Sequence, residues 1–152
     1  MDKELKRSLR LSGLLHDIGK IAVPDNVLNK EGPLTDEERE MIKMHPLKGA
    51  EILEPIEQLQ LLRGIAEHHE RVDSKGYPLG KAGVEISLEA RILAVADTFD
   101  AITSNRVYRP KKSKKEAIDI LVKAVGTQLD SQLVHTFIRA DGEGLIDPIM
   151  EK

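Results

Sequence analysis

Apolar residues recur at three- and four-residue spacings along most of this chain, the period of helices that bury one stripe. From about Glu4 to Asp17, the residues Leu5, Leu9, Leu11, Leu14 and Leu15 fall near one face, and Gly19 is expected to close that helix. Ile21 to Pro33 carries two prolines and Gly32 and reads as a connecting loop. Thr35 and Glu38 form a capping box, so a helix starts there; it should stop at His45, because Pro46 disfavours helical geometry in the residue before it. Pro46 can itself open the next helix, to about Leu53. Leu59 to about Glu70 is a further helix, ending in His68-His69-Glu70.

Val72 to Ile86 contains several glycines and a proline and reads as a long irregular loop, a kind of segment that is often functional inside a compact domain. Ser87 caps a helix through about Thr103 whose middle, Ala90 to Ala101, is apolar on most sides, the pattern of a buried central helix. Ser113 and Glu116 form a second capping box, and Asp130 caps a last helix to about Arg139. Residues 141–152 read as a poorly ordered tail. Strand signals are weak throughout, so the expectation is an all-α bundle of six to seven helices in a single domain spanning residues 1–152.

Composition narrows this picture. With two Tyr, two Phe and no Trp, the core must be built from Leu, Ile, Ala and Val, which suits helix-on-helix packing. The formal net charge of −3 lacks the basic footprint that holds nucleic acid. The absence of cysteine excludes disulfides, thiolate zinc sites and a cysteine nucleophile, so any metal must use imidazole and carboxylate. No signal peptide opens the chain, and the longest apolar run, Ile92 to Ala96, is far too short to cross a bilayer. A cytoplasmic setting is the default that follows.

Candidate chemistry gathers around four of the five histidines: His16-Asp17, His45 and His68-His69-Glu70. Asp97 interrupts the most apolar helix, where an ionised carboxylate needs a partner or a metal. Imidazole and carboxylate without thiolate point to Fe, Mn, Ni or Zn. Six such ligands exceed the needs of one tetrahedral zinc and suit two adjacent ions, an arrangement that favours in-line displacement at phosphorus.

These residues occur within an ordered set of motifs. Leu14-Leu15-His16-Asp17-Ile18-Gly19-Lys20, His45, His68-His69-Glu70-Arg71, Gly76-Tyr77-Pro78 and Ala96-Asp97-Thr98-Phe99-Asp100-Ala101 are followed by Thr103 to Arg109 and by Gly126-Thr127-Gln128-Leu129-Asp130. The set resembles the HD-GYP domains, a branch of the HD phosphohydrolase superfamily that hydrolyses the bacterial second messenger cyclic di-GMP. The resemblance implies the helical bundle of that superfamily with a long GYP loop. It implies metal binding by His16, Asp17, His45, His68, His69 and Asp97, with Asp17 as the bridge between two ions, Fe or Mn before Ni or Zn. It casts Lys20 and Asp17 as catalytic, and Asp100, Arg106, Arg109 and Tyr77 as substrate contacts, the arginines clamping phosphate. Cyclic di-GMP would be cut to pGpG or GMP. Diguanylate cyclase (GGDEF) domains and a second copy of the chain are the candidate partners, with no nucleic acid and no membrane insertion.

The chain departs from that pattern in places. The family normally carries a preceding helix with a further histidine, and none of the fifteen residues before His16 is a histidine. The expectation is a domain truncated at its N-terminus, with a full metal site at Asp17, His45, His68 and His69 and a weakened one at His16, Asp17 and Asp97. The alternative is a truncated, non-catalytic module that binds nucleotide or a GGDEF partner. Ser74 stands where the family usually has Gly, and Val107 and Ser131 where it has Pro.

Overall fold

The computed structural model describes residues 3–55, 59–105 and 110–150. Among them the helices are α1 (Lys3–Leu15), α2 (Asp25–Leu28), α3 (Asp36–Lys43), α4 (His45–Leu53), α5 (Leu59–Glu67), α6 (Leu88–Thr103), α7 (Lys114–Lys123), α8 (Ser131–Gly142) and α9 (Asp147–Met150). Seven of these have eight or more residues, and α2 and α9 are single turns. The all-α bundle expected from the spacing is the observed architecture. The described residues contribute only isolated bridges, Asp73 with Ala82 and Val125 with Leu129, and no extended strand. No helix among them is long and apolar enough to cross a membrane.

Local signals place the boundaries well where side chains bond to the backbone. Thr35 accepts from the Glu38 amide while Glu38 accepts from the Thr35 amide, and Ser113 with Glu116 repeats the arrangement at α7. Ser87 caps α6, and Asp130 caps α8 by accepting from the amides of Gln132 and Leu133. The break expected at His45 falls at Met44 instead: α3 ends at Lys43, and His45 opens α4 with Pro46 in its first turn.

Packing overrides the pattern elsewhere. The segment expected to be a plain loop, Ile21 to Pro33, contains the end of a 3-10 turn (Ile18–Ala22) and α2. On α1 the buried positions are Ser8 and Ser12, whereas Leu14 is 72% exposed. The cause is a close crossing: a Cβ at Gly64 of α5 would lie 3.1 Å from Ser12 Oγ and 3.2 Å from Glu89 Cβ of α6. Only small residues fit where these three helices meet, so Leu11 and Leu15 flank the contact and pack towards Leu53 and Ile65.

Gly19 does not close α1, which ends at Leu15. It lies in the 3-10 turn, where a Cβ would come within 1.9 Å of the His45 carbonyl oxygen and 2.4 Å of the Gly49 amide. The glycine is needed because backbone meets backbone there, and that contact sets His16-Asp17 beside His45. Helix α6 is central, packing on α1, α5, α7 and α8. It is not enclosed all round, however: Ala96 and Asp100 are exposed and Asp97 is half-buried. A larger apolar cluster joins Val95, Phe99 and Ile102 of α6 to Ala117 and Leu121 of α7, to Leu129, and to Val134 of α8. Phe99 and Phe137 meet in it with ring centroids 4.9 Å apart. Lys114 ties α7 to the chain end through Asp141 (2.8 Å) and Asp147 (2.6 Å). His135 is exposed on α8.

Candidate metal centre

Three imidazoles bond back to the last turn of the helix that precedes them. His16 Nδ1 lies 2.8 Å from the Gly13 oxygen, His45 Nδ1 2.8 Å from the Ile42 oxygen, and His68 Nδ1 2.6 Å from the Ile65 oxygen. A carbonyl oxygen only accepts, so each Nδ1 carries the proton and donates it. The last carbonyls of a helix lack intrahelical partners and are ready acceptors. Each bond fixes the ring and turns the unprotonated Nε2 outward, the arrangement that orients metal-binding histidines.

Those Nε2 atoms converge. His45 Nε2 lies 3.3 Å from His68 Nε2 and 3.3 Å from Asp17 Oδ1. Three electron-pair donors therefore face one another with their ring protons committed elsewhere, an arrangement that needs a cation or a shared proton between them. With His69 included, one ligand atom from each of Asp17, His45, His68 and His69 lies within 4.8 Å of the others. Ligands about 2.1 Å from one ion can be at most about 4.2 Å apart, so closing on an ion takes shifts of about half an ångström. The donor set and its tautomers fit a divalent transition metal. The other side is looser: His16 Nε2 is 3.5 Å from Asp17 Oδ2 and 3.8 Å from Asp97 Oδ1. Lys20 Nζ holds that same Asp17 Oδ2 at 2.7 Å.

Electrostatics agree with this geometry. Burial pushes the His68 ring down to about 4, helped by the neighbouring imidazoles, so it is neutral and able to ligate near neutral pH. Burial, helped by the neighbouring His68 and His45 rings, takes His69 down to about 3. For Asp17 burial acts upward, but the contact with His45, the hydrogen bond from Lys20 and the charge of Lys20 outweigh it and hold the carboxyl well below its ordinary range. Tyr77 is pushed up to about 12 by burial and by the charges of Asp17 and Asp97, and stays a neutral phenol.

The loop of residues 70–86 is pinned over the cluster by two acids one helical turn apart. Glu67, 3% exposed, accepts from Lys81 Nζ (2.5 Å) and the Ser87 amide (2.7 Å). Glu70 accepts from the amides of Leu79 (2.6 Å) and Lys81 (3.0 Å). Gly76 makes this possible, since a Cβ there would lie 2.4 Å from the Arg71 amide nitrogen. Tyr77 stacks on His69 with centroids 4.7 Å apart. Sequence reasoning missed the anchoring roles of Glu67 and Lys81. The only hint was two acids at helical spacing, which usually marks a solvated face. Ser74, at φ 61°, occupies the left-handed region that glycine adopts freely.

A cleft of about 520 Å³ opens beside the cluster, lined by His68, His69, Tyr77, Asp97, Ile102 and Gln128 among others. Asp100 is not among its lining residues. It is exposed, accepts from the Ser104 hydroxyl at 3.0 Å, and borders a second cavity of about 620 Å³ with Phe99, Lys111 and Phe137. The proposed phosphate clamp, Arg106 and Arg109, lies outside the described residues, as does Val107.

Comparison with known proteins places this geometry in context. Residues 1–133 match the HD domain family. Over 140 residues the chain is 46% identical to a cyclic di-GMP phosphodiesterase of Pseudomonas aeruginosa, covering 91% of this chain and 34% of that protein. Over 142 residues it is 42% identical to a cyclic di-GMP phosphodiesterase response regulator of Xanthomonas campestris, covering 91% of this chain and 38% of that protein. The chain thus spans about a third of the length of these relatives. The crystal structure of a cyclic GMP-AMP-specific phosphodiesterase of Vibrio cholerae matches all of this chain and 42% of its own, at TM-score 0.77 and 18% identity, a likeness of fold.

Proposed function

The chain belongs to the HD domain family, and from that membership we propose that it is a metal-dependent phosphohydrolase cleaving a phosphodiester bond of cyclic di-GMP. One observation carries this reading: Asp17, His45, His68 and His69 each bring a ligand atom within 4.8 Å of the others, with the His45 and His68 rings oriented by the carbonyls of Ile42 and Ile65. Divalent ions bound there would supply a nucleophile at neutral pH and Lewis acidity toward phosphoryl oxygens. Iron or manganese suits the donor set, with nickel and zinc as alternatives.

The overall reaction adds one water across a P–O ester bond, leaving a phosphomonoester and a free hydroxyl, so the cyclic dinucleotide becomes pGpG and a second cut gives GMP. Asp17 is the proposed bridge, since its two oxygens face different histidines. Lys20 neutralises charge that grows at phosphorus. His16 and Asp97 form the weaker ion site, a reading supported by their longer separations and by Lys20 holding the shared carboxylate oxygen. Tyr77 fixes one wall of the cleft. Asp100, Arg106 and Arg109 complete the proposed substrate contacts. Docking of GGDEF domains on the Gly76-Tyr77-Pro78 loop is supported by exposed Leu79 beside it.

Incubating the chain anaerobically with manganese or iron and cyclic di-GMP should release pGpG, and His45→Ala should lower turnover at least about a hundredfold. No release with either metal, His45→Ala behaving like the unmodified chain, would overturn the proposal.

A further inference from the structure

We propose that the cleft beside the histidine cluster is a purine subsite in which the Gln128 carboxamide reads the edge of a nucleobase. This rests on the phosphohydrolase reading and assigns the part of the substrate that reading leaves open. The cleft is lined by His68, His69 and Asp97 together with Ile120 and Gln128, and its volume of about 520 Å³ suits one nucleotide. A phosphate at the histidines therefore leaves space for its sugar and base on the same floor.

The walls differ in chemistry. Ala94, Ala101 and Ile102 of α6 and Ile120 of α7 form an apolar wall, against which the face of a base can lie. The polar groups of the lining are mostly committed. Arg71 makes a bidentate pair with Asp73 at 2.9 and 2.7 Å, Glu70 holds two loop amides, and the Thr98 hydroxyl donates to the Ala94 oxygen at 2.6 Å.

Gln128 is different. Its backbone is held, the amide donating to the Ala124 oxygen (3.0 Å) and the carbonyl accepting from Val72 (3.4 Å). Its half-buried side-chain amide makes no hydrogen bond to the described residues. A held backbone carrying an uncommitted carboxamide offers a donor and an acceptor side by side, which is the pairing a purine edge presents.

The test is a titration of the metal-loaded chain with GMP and with ribose 5-phosphate, which share phosphate and sugar and differ in the base. GMP should bind about tenfold tighter, and Gln128→Leu should weaken GMP about tenfold while moving ribose 5-phosphate less than about twofold. Gln128→Met keeps the length and loses both donor and acceptor; it should weaken GMP as well, and it decides the matter if a melting curve shows Gln128→Leu unfolded. Equal binding of the two ligands by the unmodified chain would overturn the subsite. So would a GMP preference that survives in the folded variants. Failure to hydrolyse cyclic di-GMP would count against the phosphohydrolase reading alone, because the titration does not depend on turnover.

Discussion

The two halves of the molecule hold themselves together in different ways. From α6 onward the interior is apolar: Val95, Phe99, Ile102, Leu121, Leu129 and Val134 form one cluster. From α1 to α5 the corresponding cluster is two buried residues, Leu53 and Ile65, with a few flanking side chains. Beside them, Val23 and Val27 are buried apart from that cluster, and much of the remaining described interior is glycine contact and buried polar groups, including Ser12, His45, Glu67 and His68. Hydrophobic burial tolerates adjustment, because it scales with area rather than direction. A cluster of imidazoles and carboxylates does not, since a buried polar group without its partner costs free energy. The half that carries the candidate chemistry is therefore the half with the narrower geometric tolerance.

Paired substitutions test that division most strongly. Gly19→Ala forces a methyl against the His45 and Gly49 backbones and should cost at least about 3 kcal/mol, taking metal affinity with it. Leu121→Ala, fully buried in the other half, should cost a similar ~3 kcal/mol by leaving a cavity. Metal affinity of the still-folded Leu121→Ala protein should stay within about twofold of the parent. Denaturant melts combined with metal titrations measure both. Loss of metal binding in folded Leu121→Ala would show that the halves are not separable.

Acid should separate them next. His68 and His69 have folded values of about 4 and about 3 against 6.5 unfolded, with burial the first cause. The unfolded chain therefore binds more protons in that interval. Stability of the metal-free chain that is present above about pH 6.5 is lost as the pH falls through 6.5 towards 4. At the other half, burial acts upward on Asp130, but the Arg91 hydrogen bond wins and holds its carboxyl below 3.8. Its contribution is present above that value and lost only below it. Melting temperatures from pH 8 to pH 3 should thus fall first between 6.5 and 4, and a saturating divalent metal should move that fall to lower pH by competing with protons. A melting temperature flat down to pH 4 without metal would contradict the assignment of buried neutral imidazoles.

The smallest effect belongs to the loop that spans both halves. Ser74→Gly relieves a left-handed backbone that serine adopts at a cost, although it gives up the hydroxyl bond to the Asp73 oxygen. A net gain of up to about 1 kcal/mol is expected, or roughly 2 °C in melting temperature. A loss of stability would mean that the hydroxyl bond outweighs the backbone relief.

Much of the bundle was legible in the residues. Capping at Thr35, Ser87, Ser113 and Asp130 depends on neighbours within four positions and stands where the chain predicts it, while the break expected at His45 falls at Met44. The six candidate ligands were named through the family resemblance of their motifs, and the structure brings ligand atoms of Asp17, His45, His68 and His69 within 4.8 Å of one another. Which face α1 buries was not legible, since Ser12 was selected by the close approach of Gly64 and Glu89 from helices distant in sequence. Nor was the reason for Gly19, which lies in the backbone of α4. The anchoring of the loop by Glu67 and Lys81 joins residues fourteen positions apart through a half-buried ion pair that no local pattern announces. Short-range hydrogen bonding and ligand chemistry are written residue by residue. Which Nε2 atoms meet, and at what distance, depends on helices whose mutual approach exists only once the chain has packed.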